Sequence, residues 1–423
     1  MNIREIEIVV LDQKEELEKM KTQEFCHRPQ EDLINMNSNL AQIVIGVRRS
    51  GKSTLCFNAL QKAGVSYAYV NFDDEKLASL TLDDMDTVLD VLYRVFGDFS
   101  HLFLDEIQNI EGWHLFANRM LRKRIHLIIT GSNSKLLSGE LASHLTGRHH
   151  QIELFPFSFA DYCAYNRIAT KPLTTKNRGL LAGAFDRYTK QGGFPELLVE
   201  PDAKSYIDSL LHSIITQDIQ KRFNIRYTDT LLMLVNHLLN QAPALIVKDT
   251  LQKIFGFKSH HTVGNYLSYL KQTYLISTIS KYSGKSRQRT RNELYYPIDV
   301  AFMNNRQDAF SGENLGWRLE TIVYLELRRR AKSVSQDIYY YDEGTSQADF
   351  IVCDGNRSLE VYQVTYSMEK EKTRKREIKG AVAGAKGTNC RKVFILTDHE
   401  TETIEDDGYT IEVLPVWEWL LRQ

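Results

Sequence analysis

Cysteine is scarce in this 423-residue chain and badly placed for joint chemistry: Cys26, Cys56, Cys163, Cys353 and Cys390 are odd in number and widely scattered, with no CxxC pair. That excludes a disulfide framework and a zinc finger, and implies reduced, unmetallated thiols. Proline is rarer than a linker-rich protein needs, 8 residues in all, which argues against long disordered connections. An excess charge is also missing: 53 basic against 54 acidic residues leave a net charge of -1. Any polyanion must therefore be met by a local patch and not by the field of the whole molecule. No apolar run approaches the ~20 residues of a membrane span, and the charged start MNIREIEIVVLDQKEELEKM is unlike a signal peptide. The expectation is a cytoplasmic protein of two to four domains with no membrane partner. The HisHis pairs at 149–150 and 260–261 diverge in direction on any regular element and read as surface residues, not metal ligands.

What is present is ordered along the chain. QIVIGV (42–47), YAYVNFDD (67–74), HLFLDEIQ (101–108) and HLIITGSNS (126–134) are apolar, strand-like runs separated by helical spacing, the alternation that builds a parallel sheet covered by helices. From about 155 the pattern turns helical, broken by QGGFPELL (191–198), where Gly192, Gly193 and Pro195 mark a tight turn. Residues 247–282 read helix, turn, helix, strand, with Gly256 as a helix stop and Ser259 as an N-cap candidate. After about 311 an apolar-periodic helix precedes the strand candidates DIYYY, ADFIVCD, SLEVYQVTY and KVFILTD. The charged run MEKEKTRKREIKGAVAGAKG lies between the last two and reads as a solvated helix face.

One stretch carries a specific chemistry. GVRRSGKST (46–54) places Gly46, four residues, then Gly51, Lys52 and Ser53 between a buried strand and a helix, so that backbone N–H groups and the helix N-terminus face phosphates unobstructed. In this pattern Gly46, Val47, Arg48, Arg49, Ser50, Gly51, Lys52, Ser53 and Thr54 form the nucleotide cradle. Lys52 pairs with the β and γ phosphates, and the Ser53 hydroxyl coordinates Mg²⁺. HLFLDEIQ supplies the acids such a site needs: Asp105 at the strand's end for the metal, Glu106 to polarise water. An acidic N-cap for a helix near Gln108 is the competing reading of the same pair. Ser132 and Asn133 after the next strand are sensor candidates, although Gly-Ser-Asn also makes turns. Arg148 and Arg222 are candidates for a charge-stabilising arginine.

Together GVRRSGKST, YVNFDDEKL, HLFLDEIQNIEGW, LIITGSNSKLLSG, LTGRHHQIELFPFSFADY, GGFPELL, LTDHE and VWEWLL resemble the prokaryotic AAA-type P-loop ATPases that carry a C-terminal restriction-endonuclease-like domain of unknown function. The resemblance implies a multidomain α/β and α architecture: an AAA-type P-loop core over 1–155, a helical lid over 156–224, a winged helix over 225–305 and a nuclease-like α/β module over 306–423. It also implies ATP and Mg²⁺ as ligands, with Glu106, Lys52, Arg148 and Ser132 catalytic.

Two further clusters bear on partners. Lys285, Arg287, Arg289 and Arg291 recur at every second residue, which in a strand puts four cations on one face, suited to phosphates and not to base reading. In the C-terminal module Glu320 fits the helix acid of such nucleases and Asp349 the strand aspartate. Where they carry Glu-x-Lys, however, this chain has Gln363-Val364-Thr365, and Glu360 lies on the opposite strand face. The module therefore reads as degenerate and used for binding. The function expected is a Mg²⁺-dependent ATPase acting as a switch or motor on nucleic acid; an ATP-gated nuclease, or a signalling NTPase with only protein partners, is the alternative. A protein client and a homo-oligomer stay open.

Overall fold

Four apolar runs and the edge segment HHQIE become five parallel strands: β1 (Ala41–Ile45), β2 (Tyr67–Asn71), β3 (His101–Asp105), β4 (His126–Gly131) and β5 (His149–Glu153), in the order β2-β3-β4-β1-β5. The computed structural model describes all residues except 133–144, 146, 226–227, 284–292, 307–308, 310–313, 332–335 and 423. β1 and β3 are buried along their whole length, as expected for central parallel strands covered on both faces. β5, at the sheet edge, is only partly buried. The chain separates into two compact units, Met1–Phe155 with Gln272–Tyr274, and Pro156–Lys271 with Leu275–Gln423.

In the first unit the helices α1 (Ile3–Met20), α2 (Lys52–Ala63), α3 (Met85–Phe96) and α4 (Trp113–Arg122) accompany the sheet. The charged N-terminus is a true helix, opened by a capping box in which Asn2 and Glu5 exchange bonds of 2.9 and 3.0 Å. One stripe of it, Ile6, Val9, Val10, Gln13 and Leu17, is buried. Gln13 ties the helix to the end of β2, donating to the Asn71 carbonyl at 3.0 Å and accepting from its N–H at 2.9 Å. Leu17 joins Val44, Leu55, Cys56, Leu60, Tyr69, Phe103 and Ile128 in one core.

In the second unit come α5 (Phe159–Tyr165), α6 (Thr175–Gln191), α7 (Ala203–Ser213), α8 (Thr228–Gln241), β6 (Ala244–Leu245), α9 (Lys248–Phe255), α10 (His260–Gln272), β7 (Ile276–Lys281) and β8 (Glu293–Pro297). Gly256 ends α9 at φ 65°, and the Ser259 hydroxyl accepts from the Thr262 N–H at 3.2 Å at the start of α10. Then follow α11 (Leu315–Arg330), β9 (Gln336–Asp342), β10 (Gln347–Asp354), β11 (Arg357–Val364), α12 (Glu371–Thr388), β12 (Val393–Thr397), β13 (Glu402–Asp406), β14 (Tyr409–Pro415) and α13 (Val416–Leu420). The mixed sheet runs β13-β14-β12-β11-β10-β9-β7-β8-β6. It crosses residue 305 without a break, because β7 pairs with β9 in parallel through Ser280–Tyr339 and Lys281–Tyr340.

The GGFPELL turn has a physical cause. Asp299, buried after β8, accepts from the Gly193 N–H at 3.0 Å and from the Ala301 N–H at 2.8 Å. A Cβ on Gly192 would stand 2.1 Å from the Asp299 carboxylate, and one on Gly193 2.2 Å from the Phe157 carbonyl. Only glycine allows the chain to pass this close.

The charged run 368–387 is not simply a solvated face: α12 buries Glu377, Gly380, Ala381, Val382, Gly384 and Ala385. That stripe recurs at helical spacing among the lysines and arginines and packs α12 on β10, β11 and β12.

Candidate nucleotide site

β1 has β4 on one side and β5 on the other, and in open parallel sheets ligands bind beyond the carboxyl ends of strands so placed. The loop 46–51 sits there. Gly46 has φ 156° and is closed in by the Leu154 carbonyl, which a Cβ would meet at 2.1 Å. Gly51 caps α2 with φ 93°. The loop is braced from outside by Arg28, buried to 4% exposure, whose guanidinium donates to the Ser50 carbonyl at 3.2 Å and to the Phe155 carbonyl at 3.0 Å. Arg48 pairs with Asp73 at 2.9 Å.

Lys52 is the first residue of α2 and is buried. Its ammonium lies 3.4 Å from Glu106 Oε1 and 3.2 Å from the Val47 carbonyl. A buried lysine needs such a counter-charge, and Lys52 gives it to Glu106 in return. Burial would raise the Glu106 carboxyl, but Lys52, Gln108, Arg48 and the Ser132 N–H outweigh it and hold it below the usual range. Glu106 Oε2 accepts from Gln108 Nε2 and, at 3.1 Å, from the Ser132 N–H. Its backbone is left-handed, φ 50° and ψ 39°, pinned by a 3.0 Å bond from the Glu106 N–H to Thr130 Oγ1.

Asp105, one residue earlier, is in a different position. Ser53 Oγ donates to its Oδ1 at 3.0 Å, Thr130 Oγ1 donates to the same oxygen, and Tyr69 Oη reaches Oδ2 at 3.3 Å. Burial and the adjacent Glu106 charge push its carboxyl up to about 6, against the pull of Thr130, Ser53 and Lys52. A carboxylate so placed behind a serine hydroxyl suits a hydrated dication, whose charge would favour the ionised form.

The sequence-named residues thus divide. Lys52, Ser53, Asp105, Glu106 and Ser132 converge with the cradle Gly46, Val47, Arg48, Arg49, Ser50, Gly51 and Thr54. Arg148 does not join them. It is exposed, and its carbonyl accepts from the Ala41 N–H, so it stands at the amino end of β1. Lys52 follows the carboxyl end, about 16 Å away at ~3.3 Å per residue. Asn133, Lys285, Arg287, Arg289 and Arg291 lie outside the described residues. Arg28, Thr130 and Gln108 were not singled out from the sequence. Arg28 is 22 residues ahead of its partner and carries no local signal, Thr130 is hidden inside an apolar strand, and Gln108 reads only as a helix start.

Comparison with known proteins places the first unit in a described family. A family model described as "AAA domain" matches residues 38–163, and one described as "Domain of unknown function (DUF8612)" matches 182–311. The uncharacterized protein MJ1544 of Methanocaldococcus jannaschii is 31% identical over 403 residues, covering 92% of this chain and 90% of that protein. The chain belongs to the MJ1544 family. An uncharacterized protein of Haemophilus influenzae is 29% identical over 402 residues, 91% of this chain and 95% of its own length. Among solved structures, the Walker-type ATPase PABY2304 of Pyrococcus abyssi aligns at 15% identity over 66% of this chain and 95% of that one, with a TM-score of 0.40. The first unit of this MJ1544-family chain has an AAA-type P-loop fold. Among the described residues no helix is long and apolar enough to cross a membrane.

Proposed function

We propose that the protein is a Mg²⁺-dependent, AAA-type ATPase that works as a nucleotide-driven switch or motor on nucleic acid. The observation that carries the reading is the convergence of Lys52 on Glu106 at 3.4 Å and of Ser53 on Asp105 at 3.0 Å at the mouth of one glycine loop. The residues fit both ligands. Ser50 Oγ is buried in the loop without a hydrogen-bond partner among the described residues, an orphan donor of the kind a phosphate oxygen would satisfy. Ser53 backed by Asp105 would hold Mg²⁺, which supplies charge to the leaving and transferred phosphoryl oxygens. Lys52 would bind the β and γ phosphates and Glu106 would take the proton of the attacking water. Arg148, exposed at the far edge of the sheet, would serve only the nucleotide of a neighbouring copy, which ties its catalytic role to a homo-oligomer.

Helix α8, strand β6, helices α9 and α10 and strands β7 and β8 follow one another in the order of a winged helix. That order, with the four alternating cations from Lys285 to Arg291, supports nucleic-acid contact over residues 225–305. The deciding measurement is ATP turnover with Mg²⁺ and with EDTA, each with duplex, single-stranded or no nucleic acid. Stimulation by nucleic acid supports the motor or switch; turnover indifferent to it favours a protein-only NTPase.

A second reading, the ATP-gated nuclease, is favoured by one observation. In the C-terminal part, taken as restriction-endonuclease-like, Gln363 stands where an acid was wanted, yet Gln363 Nε2 donates to Glu377 Oε2 at 2.7 Å. Glu377 of α12 thus brings its charge to bear on both Glu320 and Asp349. Cleavage of DNA or RNA with Mg²⁺ or Mn²⁺, lost in Asp349→Ala and in Glu377→Ala, would establish it; no cleavage leaves the module a binding element.

A further inference from the structure

Glu106 is gripped unequally. Its Oε2 is held by two neutral donors, Gln108 Nε2 and the Ser132 N–H, while its Oε1 meets only the Lys52 ammonium among the contacts described. The donors on Oε2 belong to the protein's own frame and stay when nucleotide arrives. Lys52 does not: a γ-phosphate competes for it with greater charge. Gln108 also leans on Ser132, with Nε2 3.4 Å from Ser132 Oγ. Its other amide atom, Oε1, is buried and meets no partner among the described residues. The assignment of nitrogen and oxygen follows from chemistry, since an ionised carboxylate only accepts and must face the NH₂ arm.

We infer that Gln108 is the positioning residue for Glu106. Its carboxamide fixes Oε2, so that when Lys52 leaves for the phosphates, Oε1 alone is freed as the base. In the nucleotide-free protein the same Lys52 contact caps that oxygen, so the base is exposed only when there is a phosphate to attack. The inference rests on the ATPase reading of this site.

The test compares Gln108→Ala with the near-isosteric Gln108→Glu, in full-length protein with ATP and Mg²⁺. Loss of the donor should lower kcat by about 10- to 100-fold in Gln108→Ala, the range for a misplaced base, with ATP affinity within about 2-fold of the parent. The acid limb of its kcat–pH profile should move to higher pH, because Glu106 has lost a bond that favours its ionised form. Gln108→Glu should be slower still at neutral pH, since it sets a like charge against Glu106, and should recover towards the Ala variant as pH falls. A packing role predicts the reverse order, with the isosteric change the milder. Ala at the parent rate, or Glu faster than Ala, would overturn the inference while leaving the ATPase reading intact. A parent with no Mg²⁺-dependent turnover would overturn both.

Discussion

Carboxylates set into the two units are treated oppositely at Glu106 and at the pair Glu320 and Asp349. At the glycine loop Glu106 faces the buried Lys52 and is held ionised. In the second unit Glu320 bonds the Tyr296 hydroxyl at 2.8 Å, and Asp349 accepts from the Val364 N–H at 2.7 Å. Burial pushes Glu320 up to about 7, with the Glu377 charge adding to it. Asp349 goes well above the usual carboxylate range through burial and the charge of Glu320. Arg376, whose charge opposes the rise at Asp349, bonds Glu377 at 3.0 Å and is itself largely exposed. Burial raises them all; at Glu106 the Lys52 ammonium, with Gln108, Arg48 and the Ser132 N–H, outweighs it, whereas Glu320 and Asp349 meet no buried cation among the described residues and are pushed up. A base must be ionised to act; a protonated pair can bind, or can give up its protons to a dication.

The strongest way to break the contrast is to remove the cation. Lys52→Ala should abolish tight ATP binding and turnover, since the loop loses its charge-assisted contact to the phosphates, and it should leave Glu106 held by Gln108, Arg48 and the Ser132 N–H. Glu106→Gln should separate the two roles: nucleotide binding nearly intact, turnover down by roughly 10²-fold or more, as for a lost general base. Equilibrium binding of a fluorescent ATP analogue alongside phosphate release distinguishes them. Parent-rate hydrolysis by Glu106→Gln would mean that water is activated by another group.

How much of this was legible differs between the two regions for a physical reason. The P-loop and the Asp105–Glu106 pair are contiguous in sequence because a strand and its following turn deliver them together, and the apolar run HLFL marks the strand. Glu377 could not be found that way. It reaches Asp349 across 28 residues and from a helix, and its neighbours Lys375, Arg376 and Lys379 disguise the helix as a polar one. The buried stripe Glu377, Gly380, Ala381, Gly384 and Ala385 was the available signal, small residues at helical spacing. Strands β9 to β12 were legible from their aromatic and β-branched runs. β13 and β14 were not, because Glu402 to Asp406 is mostly acidic and only its pairing with β14 makes it a strand. Asp299 was invisible as well. Its partner Gly193 lies 106 residues away, and the sequence showed only that Gly192 and Gly193 turn.

Asp299 adds an intermediate case to the comparison, a buried carboxylate met chiefly by backbone donors. Burial raises it to about 6, offset by the Ala301 and Gly193 N–H groups and by the charge of Arg329. Asp299→Ala should orphan two buried N–H groups and cost about 2 kcal/mol of stability, within the range for unsatisfied donors and after relief of the charge burial. The native aspartate is most favourable when protonated, so the loss should be larger at pH 5 than at pH 8. Urea denaturation at the two pH values measures both; an equal or smaller loss at pH 5 would place the stabilisation in the charge and not in the bonds.

The smallest effect is also the sharpest test of why the second set differs. Glu320 has its folded value raised from 4.5 to about 7, so the folded protein binds its proton more tightly than the unfolded chain does. Its contribution to stability is therefore fully present below about pH 4.5 and is lost as pH rises through 7. Glu320→Gln keeps an acceptor for the Tyr296 hydroxyl and cannot ionise, so it should match the parent near pH 5. At pH 8 it should exceed the parent by about 1–2 kcal/mol, less than the full shift implies because the side chain is only partly buried and shares its proton equilibrium with Asp349. Adding Mg²⁺ or Mn²⁺ at pH 8 separates the two fates of the pair. If the carboxylates bind a dication, the metal should raise the parent's stability and narrow its gap to Glu320→Gln; if they are a proton-sharing structural pair, the gap should be unchanged. A variant no more stable than the parent at pH 8 would show that Glu320 is ionised at little cost, and that the absence of a buried lysine is not what distinguishes the two sets.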